Sequence, residues 1–172
     1  MNHAIDSLAG AMSVATRIEL VVLLQQQYML TAQLHCNLQL AQWLLRRFSF
    51  RALRKVLRSM ALMAASQLSR LAHPITGLGG YLPCANTLVF DNIASLGFSD
   101  CIAQVLRDLE ELERLADCLN RLLEGASITG EWPDSLRLED TREACRLLVA
   151  RIRHVLAPDA EFASAAVGVA DQ

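Results

Sequence analysis

From Leu20 to Phe90 the sequence contains neither aspartate nor glutamate, and from Leu20 to Leu45 it carries no formal charge of either sign. A helix with no charged face for water has to be covered on more than one side, so this stretch restricts the chain to a doubly buried helix or a membrane span. Nine of its 26 positions are Gln, Thr, His or Asn, among them Gln25, Gln26 and Gln27. That many polar amides make insertion into a bilayer costly, which favours a helix packed in a bundle and meeting a second subunit.

The chain has 172 residues, 53% of them apolar and 20% charged, enough for one sizeable core and too few to suggest two domains. A single domain over 1–172 is expected, with the bundle over about 12–157 and a tail over 158–172. Charge is unevenly distributed. Residues 1–90 hold eight basic and two acidic groups, and residues 91–172 hold eight basic and sixteen acidic, so the two halves attract. Fifteen of the sixteen basic residues are arginine and Lys55 is the single lysine, which argues against a lysine-rich tail that condenses DNA. Cys36, Cys84, Cys101, Cys118 and Cys145 are odd in number, widely spaced and without a CxxC pair. Buried thiols in a reducing compartment are expected, neither a disulfide framework nor a zinc knuckle. Met1 to Thr16 has no basic leader or continuous apolar core, so a cytoplasmic protein is expected.

Helical periodicity organises the rest. A first helix is predicted from about Met12 to Leu45, with Leu23, Leu30, Leu34, Leu38, Ala41 and Leu45 at helical spacing and Leu24, Tyr28 and Leu44 widening the stripe. A second, from about Phe50 to Ala72 after a Ser49 cap, carries Leu53, Leu57, Met60, Ala64, Leu68 and Leu71 inward. Its other side presents a basic ridge of Arg47, Arg51, Lys55 and Arg58, read as a solvated face or as partners for the acidic half. His73-Pro74 is expected to end this helix, and the glycines of Ile75 to Pro83 suit a C-cap and a tight turn. A connection of about 25 residues leads to a third helix capped by Ser99, with Ile102, Leu106, Leu109, Leu112, Ala116, Leu119 and Leu123 on one face and Glu110, Glu113, Asp117 and Glu124 on its flank. A fourth runs from about Asp134 or Ser135 to Leu156, with Leu138, Cys145, Leu148, Ile152 and Val155 inward. The fold class is all-α: a four-helix bundle with a long crossover between its second and third helices.

Three segments, Leu30-Thr-Ala-Gln-Leu-His-Cys-Asn37, Ser59-Met-Ala-Leu-Met-Ala-Ala-Ser66 continuing to Gly77-Leu-Gly-Gly-Tyr-Leu-Pro83, and Val105-Leu-Arg-Asp-Leu-Glu-Glu-Leu-Glu113, carry a likeness to a known family. Over about residues 18–157 the chain resembles the ferritin-like superfamily, and the bacterioferritins in particular. The resemblance implies a ferritin-like bundle whose relatives oxidise iron with a glutamate from the first and third helices and a Glu-x-x-His pair from the second and fourth. Aligned without gaps, Met29 stands at the first glutamate, Leu62 and Ala65 at the second-helix pair, and Thr141 and Ala144 at the fourth-helix pair, while Glu113 is retained. One carboxylate does not hold two ferrous ions, so no di-iron centre and no catalytic residue are expected. His35-Cys36-Asn37 is similar to the helix A histidine segment of the miniferritins, but the second-helix acids of that site are missing, and His35 is read as a hydrogen-bonded side chain beside the core.

The same alignment puts Met63 where bacterioferritins use a methionine to ligate haem from both sides of a two-fold interface. Haem is the one cofactor the resemblance implies, with Met63 as its ligand. The expectation is a catalytically silent ferritin-like subunit acting through assembly, as a homo-oligomer or with a ferritin-like partner, binding no specific nucleic acid and spanning no membrane. The alternative is a helical scaffold in a larger hetero-complex unrelated to iron, with Trp43, Trp132 and Phe98 marking contact surfaces. Neither a nucleophile with a base nor metal-ligand spacing among the four histidines supports a different enzyme.

Overall fold

The computed structural model describes residues 12–45, 51–83 and 97–125, together with residues 10 and 150. Three long helices make up this region: α1 (Val14–Leu44), α2 (Arg51–Gly77) and α3 (Phe98–Gly125). No strand occurs among the described residues. The proposed Ser49 cap, the fourth helix and the tail fall outside them.

Helix α1 begins where Ser13 turns from extended backbone and its hydroxyl accepts the amide N–H of Thr16 at 3.1 Å. That bond satisfies one of the donors a helix start leaves open. At the other end, the Arg54 guanidinium donates to the Leu45 carbonyl at 3.1 Å, placing a cation at the negative end of the α1 dipole.

Inward-facing residues of α1 recur at heptad spacing: Leu20, Leu24, Gln27, Thr31, Leu34, Leu38, Ala41 and Leu45 are all buried. This seam agrees with the predicted stripe from Leu34 onward and differs upstream, where Leu23 and Leu30 are only half-buried. Polar Gln27 and Thr31 stand at two seam positions, and their chemistry masked the repeat. They also divide the interior. One apolar cluster gathers Leu34, Leu38, Leu53, Leu57, Met60, Ile102, Val105, Leu109 and Leu112; the other gathers Leu20, Leu24, Leu71, Ile75, Leu78, Ala116, Leu119 and Leu123.

Helix α2 continues past the point expected to end it. Pro74 lies inside, and the helix runs to Gly77. Proline in a helix costs about 3 kcal/mol, but the extra turn buries Pro74, Ile75 and Leu78, and apolar burial is worth about 1.5–3 kcal/mol for each large side chain. The Thr76 hydroxyl supports the turn by donating within reach of the Ala72 and His73 carbonyls, at 3.0 and 3.1 Å. The end is a Schellman motif: Gly80 N–H bonds the Ile75 carbonyl at 2.8 Å, Gly79 N–H bonds the Thr76 carbonyl at 3.1 Å, and Gly79 takes φ +85°. The glycine-rich segment supplies this cap as expected, one turn later.

Helix α3 starts two residues earlier than a Ser99 cap would allow. Cys101 N–H bonds the Gly97 carbonyl at 3.1 Å, which makes Gly97 the cap and puts Ser99 in the first turn. Asp100 closes the end by accepting the Gly97 N–H at 3.3 Å, with its charge at the positive end of the dipole.

Cross-helix bonds settle the topology. Gln42 reaches the Leu57 carbonyl and Gln25 the Tyr81 carbonyl, so α2 runs antiparallel to α1. Gln33 reaches Asp108 while Cys101 reaches the Asn37 carbonyl, so α3 is antiparallel to α1 as well. Helix α2 therefore ends beside Val21, whereas α3 begins beyond the level of Asn37. At 1.5 Å per residue those levels differ by about 24 Å along α1. The end of α2 and the start of α3 thus lie at opposite ends of the described helices.

Candidate functional site

The chemistry of the described region concentrates where α1 meets α3. Asp108 faces inward on α3 and is 2% exposed. Its Oδ1 accepts Gln33 Nε2 at 3.0 Å and Gln104 Nε2 at 2.8 Å, and its Oδ2 accepts Asn37 Nδ2 at 2.6 Å. Gln33 and Asn37 stand one turn apart on α1 and Gln104 one turn before Asp108 on α3, so helical geometry alone brings the three amides to one carboxylate. Arg107 bonds the Gln104 oxygen through Nε at 3.3 Å and Nη2 at 2.7 Å. Burial pushes the Asp108 carboxyl above the usual aspartate range, against the downward pull of the three amide bonds and of Arg107.

Cys101 lies one turn from Gln104 and donates its thiol to the Asn37 carbonyl at 3.3 Å. Burial, with the Asp108 charge adding to it, pushes this thiol up to about 11. It stays protonated at neutral pH and is a poor nucleophile. Burial also raises Cys36. Neither thiol is poised for covalent catalysis.

Gln27 is the second polar feature of the interior. It is 0% exposed, and neither Nε2 nor Oε1 has a hydrogen-bond partner. Thr31, one turn on, donates its hydroxyl to the Gln27 backbone carbonyl at 2.7 Å and leaves the side-chain amide alone.

The residues singled out by the resemblance are distributed differently from the alignment. Leu62, aligned with an inward glutamate, is 66% exposed, and Met29 is only half-buried on the side of α1 away from the seam. The interior positions of α2 are Met60, Ala61 and Ala64 instead, because the buried repeat passes through Leu57, Met60 and Ala64. Leu62 therefore lies off the buried face of α2. Met63 lies beside Leu62, 43% exposed on the outside of α2. His35 bonds Gln39 on its own helix at 3.2 Å, and Glu113 sits half-buried on α3. Thr141 and Ala144 are outside the described residues.

Among the described residues, no three His, Cys, Asp or Glu side chains come together as a metal-binding group, and no helix is long and apolar enough to cross a membrane. Arg51, Lys55 and Arg58 of the basic ridge are exposed, while Arg54 is engaged at the end of α1; Arg47 is outside the described residues. Trp43 is 58% exposed and Phe98 packs against the first apolar cluster.

Sequence reasoning did not single out Asp108 or its amides. A signal was present: Asp108 falls between Val105 and Leu109 on the apolar stripe, and Gln33 and Asn37 recur at four-residue spacing on an uncharged helix. Sequence alone does not say that the two edges face each other.

Fold and site together define an all-helical protein with an amide-clamped carboxylate between two of its helices. No family model, curated protein or solved structure matches the chain.

Proposed function

We propose that the chain is a bacterioferritin-like subunit, catalytically silent toward iron, that acts through oligomeric assembly, with its fourth helix over about 134–156 completing the bundle. The observation that carries this reading is the double-sided character of α1. Its inner seam is buried, while Val14, Ile18 and Val22 project outward at one end and Trp43 at the other, with no formal charge between Leu20 and Leu45. From Leu20 to Leu45 the exposed residues of α1 are Val22, Gln26, Gln39 and Trp43, an uncharged side that suits a second subunit because covering it strands no ion. The topology adds support, since two helices antiparallel to α1 and starting at the same end suit a bundle with one long crossover.

Silence toward iron rests on what occupies the interior. The inward positions described on α1 and α2 are leucines, alanines, Met60, Pro74, Ile75, Gln27 and Thr31, and these give a pair of ferrous ions no carboxylate bridge. Met63 suits the haem role in one respect: its thioether is accessible on the outer side of α2, with Ser59 and Ser66 one turn away on each side, so a planar group could approach it. When bound, haem would supply an iron whose ferrous form soft thioether ligands favour. Met63 would hold the haem together with the same residue of a second copy.

An absorption spectrum combined with the mass in solution tests the proposal. A multi-subunit particle that does not accelerate oxidation of added ferrous iron under air is the expected result. A Soret band lost on Met63→Leu would establish the haem role. Rapid stoichiometric iron oxidation would reverse the assignment. The outward Leu62 favours one alternative, a helical scaffold joined to an unrelated partner, and a colourless mixed complex recovered from native lysate would select it.

A further inference from the structure

We propose that Asp108, Gln33, Asn37 and Gln104 form a proton-operated latch that holds α1 and α3 together more tightly when the carboxyl is protonated. This inference does not depend on the reading of the chain as a ferritin-like subunit.

The argument starts from the chemistry of the cage. Both Asp108 oxygens are occupied, at 2.6–3.0 Å, and every donor is a neutral amide. An amide carries an acceptor as well as a donor, so half a turn about its last bond lets it accept a hydrogen bond where it had given one. A cage of arginines or lysines could serve only the carboxylate. This one serves both states: three N–H groups for the ion, or two N–H groups and one carbonyl oxygen for the acid. Protonation can therefore proceed without loss of the bonds that join α1 to α3.

Among the described residues, the hydrogen bonds to the carboxylate come from amides and none from a cation. Helix α1 contributes none, being uncharged from Leu20 to Leu45; its one ionisable imidazole, His35, is bonded to Gln39. Among the described residues, no α2 side chain bonds to Asp108. From α3, Arg107 spends its guanidinium on the Gln104 oxygen, one step removed from the carboxylate. Cys101 is the remaining titratable neighbour and stays neutral, its thiol pushed up to about 11. An ion removed from water and met only by amide dipoles costs more than the neutral acid in the same place. Burial outweighs the amide bonds and Arg107, and the carboxyl is held above its ordinary range.

Below the value for the unfolded chain, about 3.9 for aspartate, both states are protonated and the full stability of the seam is present. As pH rises through the higher folded value the buried group has to ionise, and stability is lost. Each unit by which the folded value exceeds the unfolded one removes about a factor of ten from the folding equilibrium constant.

Urea-unfolding midpoints of the full chain and of its Asp108→Asn variant, measured from pH 4 to pH 8, test the latch. The natural chain should lose stability relative to the variant as pH rises, with the loss complete above the folded value. A difference that stays flat or moves in the opposite direction overturns the proposal. Should the variant fail to fold, carbon-13 titration of the Asp108 carboxyl in the natural chain decides: a midpoint above about 3.9 sustains the latch, and one at or below it removes it.

Discussion

Gln27 carries its amide into the middle of the bundle and finds no partner there, between two apolar clusters that would each accept a leucine or methionine. A buried amide without a hydrogen bond costs about 1–3 kcal/mol, so Gln27→Met, close in shape and without the polar atoms, should raise stability by an amount in that range. Urea denaturation at fixed pH measures it; a loss would show that the amide has a partner. Asp108 is the opposite case. Asp108→Ala removes the one acceptor shared by Gln33, Asn37 and Gln104, and should destabilise the chain by about 2–4 kcal/mol in the same assay, well beyond Asp108→Asn. Cysteine chemistry follows accessibility. Iodoacetamide at pH 8 should modify exposed Cys118 in the native protein and leave Cys101 intact, since Cys101 is buried with its thiol pushed up to about 11; peptide mass spectrometry before and after unfolding reads the contrast.

The end of α2 shows how one element depends on another. Gly80 packs so closely that a Cβ there would stand 2.6 Å from Val21 Cγ1 and 2.9 Å from the Ile75 carbonyl oxygen. Gly80→Ala should therefore lower stability by about 1–3 kcal/mol through overpacking. Val21→Ala in the same chain should restore only part of this, because the Ile75 backbone remains in the way. At Gly79 there is open space but φ is +85°, so Gly79→Ala should cost about 1 kcal/mol through backbone strain alone. Thermal unfolding of the three variants separates the two causes. Legibility differs in the same way. The glycines announced a cap, but Pro74 announced a stop one turn too early, since a proline's local penalty can be read from sequence while the burial of Ile75 and Leu78 against Leu20 and Leu24 cannot.

For the whole molecule, the outward side of α1 is the proposed assembly surface. Ile18→Glu combined with Trp43→Glu places charge at both ends of that strip without touching the inner seam. If assembly runs through this face, light scattering should show the particle falling to a smaller species while helicity by circular dichroism is kept. Unchanged mass would move the interface elsewhere, with Leu62 and Met63 on α2 the next surface to alter. The inner face of α1 was foreseen from its apolar spacing. Its phase was not, because Gln27 and Thr31 occupy seam positions that a hydrophobic count passes over.

Residue order by itself determined the helices: apolar residues at three- and four-residue steps force an amphipathic helix wherever they recur, and the absence of charge on α1 demands cover on more than one side. It also determined the order of the three described helices. Only the tertiary structure decided which polar groups lie inside. Asp108 is far in sequence from Gln33 and Asn37, and what joins them is the antiparallel register of α1 and α3, which comes from side-chain packing across the bundle and leaves no local mark on either segment.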